Sequence, residues 1–277
     1  MKTSTSKRLR WNVAIWLAAG LFMTSTAGMA SGPILPDPKA EARHHPQIEE
    51  TANGIPLVNI TAPSSGGVSR NEYETFNVPD KGAILNNSYT LSKTELAGYV
   101  QGNNNMAERP AKIIVNEVTG AGPTSMDGFL EVAGNRADVV IANPNGITVN
   151  GGGFINTGKA FLTTGKPVYD GEDHLQRFDI TGGDILIEGK GLGGKETGSL
   201  AILSRAVKIN AGIWAKDLHI TTGANTVDAK TLEASAIEGK GGRPAFALDT
   251  AAIGGMYAGR ITLVGTEKGL GVNNSGT

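Results

Sequence analysis

The chain has no cysteine among its 277 residues. Disulfide frameworks, thiolate metal sites and cysteine nucleophiles are therefore out, and packing and hydrogen bonds alone must hold the fold. Aromatic residues are scarce, at 5%. A basic surface is also lacking, since 25 Lys and Arg face 26 Asp and Glu. That balance argues against a nucleic-acid partner, which needs a concentrated cationic face. Beyond residue 30 no apolar run approaches the roughly 20 residues of a membrane-spanning helix. No Gly-x-Ser-x-Gly elbow, His-Glu-x-x-His, Walker A loop or Cys-x-x-Cys pair occurs. Gly189–Lys195 has the look of a phosphate loop, but it lacks the Ser or Thr after its second lysine and reads as a turn. No enzyme, cofactor or metal is expected.

What is present begins with an export leader. Lys2, Lys7, Arg8 and Arg10 precede an apolar run of eleven, Val13 to Met23, and then small residues to Ser31. This is the order of a secretory signal peptide over 1–30, with cleavage expected after Ala30 or, alternatively, after Ala27. Without the four leader cations, 21 basic residues face 26 acidic ones, a formal charge of −5.

Glycine numbers 39, about twice its usual share, and is scattered between short apolar segments, as tight turns in an ordered β-protein would be. Pro33, Pro36, Pro38 and Pro46 make residues 31–54 a lead-in without regular helix or central strand. A first strand is expected near Ile55–Ile60, and another over Tyr73–Val78. Ser92–Tyr99 reads as a short helix or irregular excursion, and Asn103–Asn105 as a loop. From residue 111 short turn-bounded strands recur, at 111–118, 137–142, 146–149, 159–164, 183–189, 200–204, 206–210, 216–222 and 261–265. Pairs such as Ile185 and Ile187, or Leu218 and Ile220, put two branched side chains on one face. No helical pattern intervenes, which leaves a sandwich or a solenoid. The even spacing favours an all-β parallel β-helix over about 111–277, with a cap over about 55–110. Residues 99–110 and 165–178 depart from the coil, as contact surfaces or as plain solvated connections.

Two groups of residues carry candidate chemistry. Asp170, Glu172, Asp173, His174 and Asp179 invite a calcium site or a polysaccharide-cleaving carboxylate pair. Their spacing enforces neither, so a solvated polar loop is the simpler expectation. His219, between Leu218 and Ile220, should point away from the core. The second group is sharper. In Asn143-Pro144-Asn145-Gly146 the proline presets φ and Asn-Gly tolerates left-handed geometry. Gly151, Gly152 and Gly153 follow, where backbone bends or approaches closely. The recurrent asparagines can satisfy one another's amides on adjacent turns of a coil.

With these motifs in order, the chain resembles the N-terminal secretion domain of two-partner secretion exoproteins. That family includes filamentous haemagglutinins, haemolysins and contact-dependent growth-inhibition toxins of Gram-negative bacteria. The resemblance runs over 55–277. It is carried by Asn59-Ile60, Gly67-Val68-Ser69, Asn71, Tyr73, Phe76-Asn77-Val78, Gly82 and Asn86-Asn87-Ser88. Further on it is carried by Asn116-Glu117-Val118, Glu131–Gly134, Val140–Ile147, Gly153–Thr157 and Leu162–Gly165. It implies a right-handed parallel β-helix with an N-terminal β cap and extra-helical β elements. It also implies export through the periplasm, recognition by the POTRA domains of an outer-membrane TpsB transporter, and display or release at the cell surface.

The recognition motifs implied are Asn103, Asn104 and Asn105 with Asn143, Pro144, Asn145 and Gly146. The structural motifs are Asn71, Asn77, Asn86, Asn87, Asn116, Gly151, Gly152, Gly153 and Asn156. One departure stands out. The first motif, usually Gly-Asn-Pro-Asn-Leu, is Gly102-Asn103-Asn104-Asn105-Met106 here, and losing the proline should loosen it. Val149 and Gly152 stand where some relatives carry cysteines. The turn-rich end LGVNNSGT fits a portion of a much longer exoprotein, an adhesin, haemolysin or toxin, and this portion is expected to be monomeric. The other readings are a stand-alone module that binds a host surface and a β-helix polysaccharide enzyme.

Overall fold

The computed structural model describes residues 33–106, 109–194 and 196–276. The leader and its cleavage site lie outside the described residues. Residues 31–277 form one compact unit.

The polypeptide winds as a right-handed parallel β-helix with three faces. Each rung contributes one strand to each face, and the same face of the next rung pairs with it in parallel. Face 1 is built from Pro56–Asn59, Ala83–Asn87, Phe129–Gly134, Gly152–Ile155, Leu192–Gly194 and the first halves of Gly212–Thr222 and Gly255–Gly265. Face 2 is built from Val68–Phe76, Ile113–Val118, Ala137–Ala142, Thr157–Thr163, Ser199–Ser204 and the second halves of those two long strands. Face 3 stacks Thr124–Met126, Ile147–Val149, Asp184–Ile187, Ala206–Ile209, Phe246–Thr250 and Gly271–Asn274. Val78 bridges to Met126 and opens face 3.

The interior is apolar and branched. On face 2 the register lines up Ile114, Val139, Ala160, Leu200 and Leu218, and each is at most 1% exposed. The alternation read from Leu218 and Ile220 sets this inward column, and the intervening His219 points outward, as expected. It ends half-buried rather than solvated.

The cap lies earlier than expected. Parallel pairing begins at Pro56–Asn59, so much of 55–110 is coil. The antiparallel strands that close the coil lie in the lead-in instead. Ile34–Pro36 pairs with Val68–Phe76, and Gln47–Glu50 with Pro56–Asn59, so they cover the two edges of the first rung. Pro36 fits a strand because that strand is an edge with a register shift at Leu35/Pro36. The Ser92–Thr94 and Gly98–Val100 strands form a hairpin, where a helix or irregular excursion was expected. Within the expected turn 189–195, Leu192–Gly194 is a face 1 strand.

Two coverings lie outside the coil. The Ser92–Val100 hairpin leaves between face 1 and face 2 and packs Leu96, Ala97 and Val100 on Ile84 and Ala133. Lys166–Tyr169 and Leu175–Ile180 form a second hairpin between faces 2 and 3. It joins Asn225–Asp228 and Ala234–Ala236 in a four-stranded antiparallel sheet. That sheet lays Phe178 and Val227 on the outward Val115, Val140, Phe161 and Ala201 of face 2.

Candidate functional site

The two asparagine loops share one internal design. Asn143 leaves the end of the Ala137–Ala142 strand and is fully buried. Its Oδ1 accepts the N–H of Asn145 at 2.9 Å, closing an Asx turn. Its carbonyl accepts the N–H of Gly146 at 3.1 Å. The Nδ2 donates to the Gly122 carbonyl and the Thr124 hydroxyl on the preceding rung, both at 3.0 Å. Asn145 donates its amide to the Gly120 carbonyl at 2.8 Å. Gly146 supplies φ of +112° where the chain turns into face 3.

Asn103 repeats this pattern without a proline. It is 2% exposed, and its Oδ1 accepts the Asn105 N–H at 2.9 Å. Its carbonyl accepts the Met106 N–H at 3.2 Å. Its Nδ2 donates to the carbonyls of Ile60 and Asn86, and Asn105 adds a second bond to Ile60. Asn104 stands exposed at the position of Pro144, opening a short 3-10 turn. The side-chain bonds therefore build the loop that the missing proline would otherwise favour. The loops are not brought into one patch. The first sits on the corner between faces 1 and 2, the second on the corner between faces 2 and 3. Asn104, Pro144 and Asn145 present exposed surface, while Asn103, Asn143 and Gly146 are buried.

The other asparagines tie rung to rung. Asn59 and Asn86 are register partners, and Asn86 donates to the Asn59 Oδ1 at 2.8 Å. Asn71 and Asn116 are also register partners, but their amides go mainly to backbone. Asn71 donates to Ser69 and Val115 and accepts the Thr61 N–H. Asn116 donates to the Val140 carbonyl and accepts the buried Tyr73 hydroxyl. Asn87 bonds Ala111 and Asn135, and Asn77 accepts the Ser125 N–H. Asn156, at φ +54°, donates to Val132 and Gly134. Mutual amide pairing is thus the minority pattern, and carbonyls of neighbouring rungs are the main partners. Gly151 holds φ +100°, Gly152 faces the core beside Val149 and Met126, and Gly153 lies under the Phe129 ring.

The acidic candidates do not converge. Asp170 caps its own turn through the N–H groups of Glu172 and His174 and contacts the His174 ring. Those hydrogen bonds hold its carboxyl below the usual value. Asp179 pairs with Arg177, and Asp173 with Arg43 of the lead-in. Among the described residues no group of three or more His, Cys, Asp or Glu is placed to hold a metal.

Composition and motif did not point to the latch around Asp173. His44, 4% exposed, lies 3.1 Å from Glu72. Arg70 bonds Glu72 at 2.8 Å and Glu117 at 3.3 Å, and its guanidinium sits 4.5 Å above the Tyr169 ring. Burial, assisted by Arg70, lowers the His44 pKa. Burial raises that of Glu117, against the pull of Arg70. The lead-in, the first two rungs of face 2 and the extra-helical hairpin meet here.

The likeness to known proteins matches this geometry. The TPS secretion domain model matches residues 33–277. The crystal structure of the filamentous hemagglutinin secretion domain superposes with a TM-score of 0.79 at 34% identity, covering 87% of this chain and 81% of that one. A Toxin CdiA of Yersinia pestis is 48% identical over 249 residues, 89% of this chain and 8% of that protein. The tRNA nuclease CdiA-2 of Burkholderia pseudomallei is 43% identical over 238 residues, 86% of this chain and 8% of that protein. The chain therefore spans about 8% of the length of these relatives. Residues 33–277 belong to the TPS secretion domain family.

Proposed function

We propose that this domain is the export address of a longer exoprotein, read in the periplasm by the POTRA domains of a cognate outer-membrane TpsB transporter. The domain itself catalyses nothing; it is bound, passed outward and displayed at the cell surface as the first folded part of an adhesin or growth-inhibition toxin. The observation that carries the reading is the pair of matched asparagine loops on the corners flanking face 2. Each buries its first asparagine to set the turn and leaves the middle residue, Asn104 or Pro144, facing solvent. Turn-setting and partner-contacting positions are then separate. Asn103, Asn143 and Gly146 shape the loops, and Asn104, Pro144, Asn145 and half-buried Asn105 offer contact atoms.

Release of the domain from Gram-negative cells with and without the transporter tests this. Asn145→Ala combined with Pro144→Ala is expected to reduce transporter-dependent release while the purified domain still folds, its melting temperature only slightly lowered. Release that ignores both the transporter and the loop changes would dismiss the reading and favour a stand-alone host-binding module.

A further inference from the structure

Among the described residues, the Ser92–Val100 hairpin covers face 1 over its first rungs only. Beyond it the register sets one outward column. Phe129 pairs with Gly153, Gly153 with Gly193, Gly193 with Trp214, and Trp214 with Tyr257. Register partners share a face, so these residues form one line along the coil axis. A Cβ on Gly153 would stand 2.4 Å from the Phe129 ring, and one on Gly212 2.6 Å from the Trp214 ring. The rings thus lie over glycine backbone, in space that side chains would fill. Trp214 and Tyr257 are stacked at 5.9 Å with planes 15° apart.

Shielding of glycine backbone accounts for rings that lie down. It does not account for Phe129 and Tyr257 remaining 43% and 47% exposed in a line. Between Phe129 and Trp214 runs a trough of about 540 Å³, with Gly152 and Gly193 in its lining and Lys190 and Glu196 beside it. It adjoins a polar groove of about 1070 Å³ lined by Lys93, Arg136 and Asn156, with Glu196 common to both. Apolar rings beside convergent polar groups are the general make-up of a ligand site.

We infer that this line of rings binds a β-1,4-linked pyranose chain laid along the coil axis. Such a chain is a flat ribbon, with C–H groups on its faces and hydroxyls on its edges. Its faces suit the rings, and its edges suit the lysine, arginine, carboxylate and amide groups of the adjoining groove. Phe129 to Tyr257 spans four rung steps, about 19 Å at the spacing of neighbouring strands, which accommodates an oligosaccharide rather than one sugar. An extended peptide fits less well, because the strands flooring the trough are already paired on both sides and offer it no main-chain partners.

Of the three tryptophans, Trp11 and Trp16 lie in the leader, so the domain produced from Ser31 carries one indole, Trp214, in the site itself. Its fluorescence is titrated with cellohexaose, chitohexaose and, as a helical α-1,4 control, maltohexaose. A saturable change with a β-1,4 oligomer and none with maltohexaose is expected, weakened ~10-fold by Tyr257→Ala. Gly193→Val is expected to abolish it, since a Cβ there has room, with nothing nearer than 3.7 Å, and the branched methyls fill the trough; the variant's melting temperature is measured to show that it folds. Silence towards both β-1,4 oligomers overturns the inference, as does binding that survives Gly193→Val. A response confined to aromatic peptides would reassign the face to a protein partner.

Discussion

Asn143 and Asn145 sit two residues apart and should answer mutation differently. Asn143→Ala removes a buried side chain that closes the Asx turn and reaches the preceding rung. Carbonyls and an N–H left unpaired make the loss about 2–3 kcal/mol. Asn145→Ala at an exposed position should lose about 1 kcal/mol. Urea unfolding of the two variants checks the order, and equal losses would contradict it. Asn104→Pro reverses the family departure. Asn104 opens a 3-10 turn, whose φ range suits proline. The variant should gain about 0.4–1 kcal/mol through the unfolded chain, again read by urea midpoint. The turn chemistry of 143–146 was legible because Pro and Gly act locally. The depth of Asn103 and Asn143 was not, since burial depends on rungs twenty or more residues away.

At the scale of elements, the latch between lead-in and extra-helical hairpin makes a pH prediction. The folded-state pKa of His44 lies below its ordinary 6.5, so the unfolded chain binds the proton more readily. The stability this supplies is complete above pH ~6.5 and is lost as pH falls through the folded value. Unfolding midpoints should therefore drop on acidification from that range, and His44→Gln should flatten part of the slope. Glu117, raised by burial, has the opposite sign, its contribution being present below 4.5 and lost as pH rises through its folded value. A slope unchanged in His44→Gln would show that the latch is not what titrates. The extra-helical sheet rests on Phe178, which is fully buried and 5.8 Å from Phe161. Phe178→Ala should destabilise by about 3–5 kcal/mol, with hydrogen exchange rising first in the Lys166–Ile180 hairpin. The inward alternation of face 2 could be read directly from Leu218 and Ile220. The outward side could not be read that way, because coverings bury it too. Val115, Val140 and Phe161 are apolar for the sake of a sheet that arrives from residues 166–180 and 225–236. The Ser92–Val100 hairpin escaped reading for the same reason: its short strands show no alternation, and its partners Ile84 and Ala133 are supplied by the coil.

At the scale of the whole molecule, one consequence follows from the antiparallel strands that close the first rung. Each later rung docks on the one before it, through parallel ladders and through asparagine amides such as Asn143 to Gly122 and Asn156 to Val132. The assembly behaves like a crystal with one growth face poisoned. Ile34–Pro36 and Gln47–Glu50 occupy the early edges of the first rung and block addition there. Rungs can then be added from one side, in chain order, each docking on the edge that its predecessor leaves.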